Sequence, residues 1–130
     1  MSYTTFDYKG RKILFSNYYP DDGDNGRDFY ESTDSYVDMT INPPIVIEAY
    51  VYNNIDENID QSFLNVLISY RKFNNDNHVI EFHQTHMRVD ATDWEWYRYR
   101  DEHLEKYILP LFDAENPRET MSTYAMEETL

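Results

Sequence analysis

Four histidines and 25 carboxylates are the titratable groups that this 130-residue chain could use for chemistry near neutral pH. Cysteine is absent, which excludes a disulfide scaffold, a thiolate zinc site and a cysteine nucleophile. Two histidines lie close together in His83-Gln84-Thr85-His86. In a strand, alternate residues share a face, so Glu81, His83 and Thr85 point one way while Gln84 and His86 point the other. From a regular strand the two imidazoles cannot chelate one metal, and cross-strand hydrogen bonding is the role expected of them. Downstream lie further cations and indoles. His83, His86, Arg88, Arg98 and Arg100 could hold phosphates while Trp96 stacks on a base, as in a protein that sequesters a nucleotide signal.

The triplet His83-Gln84-Thr85 resembles half the signature of two-histidine phosphoesterases. That family needs a second copy, and none is present: Val79-Ile80 follows His78 and Leu104-Glu105 follows His103. A phosphodiesterase using His83 is therefore the last of the readings. Asp21-Asp22-Gly23-Asp24-Asn25-Gly26 has the composition of a calcium loop but not its spacing. With Asp22 first, Gly26 falls fifth and Arg27 takes the sixth position, where the turn needs glycine. Serine-nucleophile elbows, phosphate-binding loops and dinucleotide fingerprints are absent. No cofactor and no metal is expected. Nothing marks one acid pair among so many carboxylates as a general acid and base.

The carboxylates are unevenly distributed, and this is the strongest signal in the sequence. The formal net charge is -14. Residues 1–20 carry +2, residues 21–60 carry -10, residues 61–112 carry -2 and residues 113–130 carry -4. Such a charge argues against a protein that neutralises nucleic-acid phosphates. It fits one that is steered onto a basic partner at a salt-dependent rate. The candidate partner-binding residues are Asp21, Asp22, Asp24, Asp28, Tyr30, Glu31, Asp34, Asp38, Asp56, Glu57 and Asp60. The leading reading is a small non-enzymatic inhibitor that covers a basic protein surface. It fits a phage-encoded protein that blocks a host nuclease, polymerase or defence complex, with carboxylates standing where DNA phosphates would be. It equally fits an immunity protein that covers a basic toxin. The competing reading is an acidic surface that serves solubility alone.

Positioning such residues requires a folded domain. Leu, Ile, Val and Phe make up 29 of 130 residues, and 13 Tyr and 2 Trp supply further rings. That aliphatic and Phe share, about 22%, lies above the roughly 20% below which disorder is expected. Alternating runs over 4–8 and 11–18 flank Lys9-Gly10 and predict a hairpin. Residues 20–35 read as a loop, and a weak strand follows from Tyr36 to Ile41. Ile45–Tyr52 and His78–Val89 read as strands. Phe63–Phe73 could form a helix, but its Val, Ile, Phe and Tyr content favours a strand, joined to the last by a turn over 74–77.

Thr92-Asp93-Trp94-Glu95 matches a capping box and opens a helix. Its stripe of Tyr97, Leu104 and Ile108 faces the core, leaving Trp96, Tyr99 and Arg100 as candidates for the exposed side. Pro110 ends or kinks this helix. The expectation is an α+β fold: about six mostly antiparallel strands with one long C-terminal helix packed on the sheet. Residues 1–112 form the domain and 113–130 an acidic, flexible tail. No apolar run nears the ~18 residues of a membrane span, and no secretory signal precedes the domain. A cytoplasmic setting, in a bacterium or an infected host cell, is expected. An exposed edge strand could pair two copies into a homodimer.

Overall fold

The structure, a computed structural model, describes residues 2–18, 31–52, 64–89 and 93–127. Six strands run in sequence: β1 (Ser2–Tyr8), β2 (Arg11–Tyr18), β3 (Glu31–Asp38), β4 (Ile45–Tyr52), β5 (Leu64–Phe73) and β6 (Val79–Val89). Each pairs antiparallel with the next, giving one meander in the order β1-β2-β3-β4-β5-β6. The first hairpin closes through Lys9 and Gly10, at φ 47° and 81°. Two positive φ values in a two-residue loop match the right-handed twist of the strands, and glycine takes the second at no steric cost.

Strand alternation gives the sheet two unlike faces. The covered face carries Ile13, Ile45, Ile47, Ala49, Val51, Leu64, Val66 and Ile68, all buried. Against it pack Trp96, Ile108, Leu109, Leu111, Phe112, Met121 and Tyr124 from the helical half. On the other face, strands β2 to β5 present mostly half-buried side chains, with no described element over them.

Strand β3 begins at Glu31, five residues earlier than the expected start at Tyr36. Its inward positions are Ser32, Asp34, Tyr36 and Asp38, all buried. Three of these four are polar, so a strict strand alternation reads by hydropathy as a loop.

The helical half is not one long helix. It comprises α1 (Asp93–Arg98), α2 (Arg100–His103), a π-helical turn (Leu104–Ile108), α3 (Leu109–Asp113) and α4 (Pro117–Glu127). Tyr99 leaves the helical region at φ -104°, ψ 27° and separates α1 from α2. The widened turn stands directly before Leu109-Pro110. Proline has no N–H and its ring crowds the carbonyl four residues back, so the regular hydrogen-bond ladder cannot continue through it. Of the expected core stripe, Ile108 is buried and Leu104 half-buried. Thr92 of the expected capping box and the side chain of Tyr97 lie outside the described residues.

The segment expected as a loose tail contains α4, which packs against β6 and α3. Pro117, Met121 and Tyr124 recur at helical spacing and are buried. The Asn116 side chain caps this helix by accepting from the Glu119 backbone N–H at 3.2 Å. Among the described residues, no helix is long and apolar enough to cross a membrane.

Candidate functional site

Two chain segments, 19–30 and 53–63, hold most of the expected partner-binding residues. Asp21, Asp22, Asp24, Asp28, Tyr30, Asp56, Glu57 and Asp60 all lie outside the described residues. The strand ends that border them are described. Tyr18 and Glu31 border the first segment, and Tyr52 and Leu64 border the second. In the register Tyr18 opposes Thr33, Glu31 opposes Tyr52, and Tyr52 opposes Asn65. All four borders therefore sit at one end of the sheet. In a meander, connections alternate between the two ends, and these are the second and the fourth.

Together the two segments carry seven acids and one base, Arg27. The opposite end carries Lys9, Arg11, Lys12, Arg71 and Lys72, balanced by Asp7, Asp38, Asp76, Glu81 and Asp113. Strand β4 has eight residues, which at about 3.4 Å each separate the two ends by about 27 Å. That is roughly three Debye lengths at physiological salt, so a partner at one end scarcely senses the other.

The three remaining acids of the set are in view. Glu31 is half-buried on the open face. Burial, and then a hydrogen bond to Glu31, pushes the Tyr50 hydroxyl up to about 12. Asp34 is 1% exposed and accepts from Asn17 Nδ2, Trp96 Nε1 (3.4 Å) and Arg100 Nε (3.3 Å). Asp38 is fully buried and accepts from Arg11 Nη1 at 2.6 Å and from the Thr40 backbone N–H at 2.8 Å. Asp34 and Asp38 thus spend their charge inside the fold. Buried carboxylates of this kind need paired donors, and here the donors come from strands and helices far apart in sequence.

The residues expected to hold a nucleotide are not brought together. His83 is on the covered face beside Glu81 (2.7 Å) and stacks on Tyr70. His86 is exposed on the open face, 3.3 Å from the Tyr52 hydroxyl. Arg88 lies on that face too, two residues further along β6. Arg98 is exposed with its guanidinium over the Tyr99 ring. Arg100 reaches inward to Asp34 and lies 5.4 Å from the Phe15 ring centroid. Trp96, a candidate for the exposed side, is 3% exposed. Its ring stacks on His103 at 4.2 Å and 10°, because the partly apolar indole fills the space between the helices and β3. It offers no platform for a base.

His103 was missed in the sequence. It lies between Trp96 and Tyr107, seven residues from one and four from the other, a helical stripe visible in the spacing. Burial lowers its pKa. Burial likewise pushes the Tyr36 hydroxyl up, so it stays protonated beside Asp34.

Cavities open on both faces of the sheet. One of about 450 Å³ separates β6 from α4, lined by His83, Thr85, Arg118 and Met121 among others. One of about 380 Å³ lies between the first two strands and α2, walled by Phe6, Phe15 and Tyr36. Another, of about 280 Å³, is on the open face around the Glu48–Arg71 ion pair. The first brings His83 near Thr85 and Ser122, but His83 Nε2 is engaged by Glu81 and the Ser122 hydroxyl donates to the Glu119 carbonyl. No described group of three acids or histidines is placed to hold a metal. No family model matches the chain, and no curated protein or solved structure matches it.

Proposed function

We propose that this chain is a small non-enzymatic inhibitor that binds a basic protein surface through the acidic end of its sheet. One observation carries the reading: the strand order anchors both acid-rich segments at the same end. Sequence alone spreads Asp21, Asp22, Asp24 and Asp28 well away from Asp56, Glu57 and Asp60. The meander starts and finishes both segments on one rim, with Glu31 beside them. A field concentrated in this way speeds encounter with a basic partner and sets its orientation. Tyr18, half exposed, and Tyr52 stand at the same rim and offer ring contact once charge has steered the partner in.

The partner class is a protein whose own function needs a basic groove, such as a nuclease, a polymerase, a nucleic-acid-binding defence complex or a toxin. The inhibitor acts by occupying that groove, so it needs no turnover chemistry and no cofactor. At the opposite end bases and acids balance, so it does not compete for the site.

The test is affinity capture at low salt with the wild-type chain and with a variant carrying Asp21→Lys, Asp24→Lys, Asp56→Lys and Asp60→Lys. A basic protein held by the wild type, released by salt and ignored by the variant is the expected result. Retention of the same protein by both chains would overturn the reading.

A further inference from the structure

We infer that two copies of this chain pack their open sheet faces against each other, forming a two-sheet dimer whose acidic ends point in opposite directions. A solvated antiparallel face usually alternates into polar residues. Most side chains of this face are polar, Thr33, Ser35, Ser69 and Gln84 among them, but an apolar row of Leu14, Val37 and Val46 crosses β2 to β4 in register. Strand β4 is apolar or aromatic on both sides apart from Glu48, the pattern of a strand covered twice. Leu14, Val37, Val46, Tyr50 and Leu67 are half-buried on this face, and Phe82 is 47% exposed. All the core residues of the helical half pack on the opposite face.

Charge says which occupant this face suits. The described open face carries the acids Asp7, Glu31 and Glu48 and the bases Lys12, Arg71 and Arg88, so it is neutral in a chain of net charge -14. Glu48 and Arg71 already pair within it. A basic partner finds no complement there. A second copy, which every acid-rich surface of this chain repels, meets no net charge on this one.

Area agrees. Six strands at about 4.8 Å spacing and about 27 Å length give a face of roughly 800 Å². That is about the area each partner contributes to a standard-size interface. Two sheets stacked in this way cross at roughly 30°. Among two-fold arrangements, repulsion selects the one that places the rims of Tyr18, Glu31, Tyr52 and Leu64 of the two copies at opposite ends. The acidic ends stay free, so this inference does not depend on the inhibitor reading.

Salt separates the two. Screening weakens attraction to a basic partner but relieves repulsion between two acidic chains. Sedimentation equilibrium of the full chain at about 50 mM and about 500 mM salt is the test. A dimer that tightens as salt rises is expected. Val46→Lys and Ser35→Arg, both on the open face, should each give a monomer whose far-UV circular dichroism is unchanged. A monomer at both salt levels would overturn the inference. So would a dimer that survives both substitutions but is lost with Gln84→Pro, since that dimer pairs through the β6 edge.

Discussion

The indole N–H of Trp96 donates to the carboxylate of Asp34 at 3.4 Å, across 62 residues of sequence. The contact joins the first helix to the middle of β3. Arg100 and Asn17 donate to the same carboxylate. A buried acid that looked like part of a docking surface is therefore a fastening between two layers.

Asp34→Ala should cost about 3–5 kcal/mol, because it leaves the Arg100 charge inside the fold without this counter-ion. Trp96→Phe keeps a ring on His103 but loses a long hydrogen bond and part of the packing, so about 1–3 kcal/mol is expected. Urea unfolding of both variants checks the order. A smaller loss for Asp34→Ala than for Trp96→Phe would show that the cluster does not hold the layers.

His103 gives stability a pH dependence near neutrality. Burial holds its imidazole below the ordinary value of 6.5. The unfolded chain therefore binds more protons than the folded one as pH falls through 6.5 toward the lower folded value. Stability is full above that window and is lost on descending through it. Glu102, a hydrogen bond to the Trp96 backbone and Asp34 raise the folded value in part, and Lys106 opposes them. His103→Phe keeps the stack on Trp96 and should flatten the dependence between about pH 7.5 and about pH 5.5, measured as the urea midpoint.

Asp113 and Asp38 share Arg11 but differ in burial. Asp113 is a third exposed and meets Lys9 at 3.3 Å, Arg11 at 3.8 Å and the Tyr8 hydroxyl. The Tyr8 hydrogen bond, then Lys9 and Arg11, hold its carboxyl below 3.8. Its contribution is present above that value and lost as pH falls through the lower folded one. Exposure keeps it small, and Asp113→Ala should cost less than about 1 kcal/mol. Asp38→Ala, at a fully buried carboxylate, should cost several times as much by the same chemical denaturation.

Helix α4 supports the fold. Met121 is 2% exposed, and Met121→Ala should cost about 2–5 kcal/mol. The Tyr124 hydroxyl donates to the Tyr107 carbonyl at 2.8 Å and ties α4 to the π-helical turn. Deleting residues 114–130 should lower the melting temperature. An unchanged melting temperature would restore the loose tail.

Where polarity and burial agree, the fold is legible in the sequence. Ile45, Ile47, Ala49 and Val51 announce β4, and Lys9-Gly10 announces its hairpin. Strand β3 is hidden because its inward Asp34 and Asp38 are satisfied by Asn17, Arg11, Trp96 and Arg100, which no local window contains. Helix α4 is written in Pro117, Met121 and Tyr124, but the five surrounding acids mask it. The single long helix failed at Tyr99 and Pro110, of which only the proline carries a local signal. The concentration of acids is plain in the composition. That the strand ends bordering both acid-rich segments share one rim depends on strand order, which alternation cannot supply.

The most direct measurement of the central claim is the affinity of the captured basic partner as a function of salt, wild type against the four-lysine variant. From about 50 mM to about 500 mM salt the account predicts a fall of at least about tenfold for the wild type, carried mostly by the association rate. It predicts no measurable binding for the variant. Equal affinity at both salt levels, or a variant that binds as the wild type does, would contradict it.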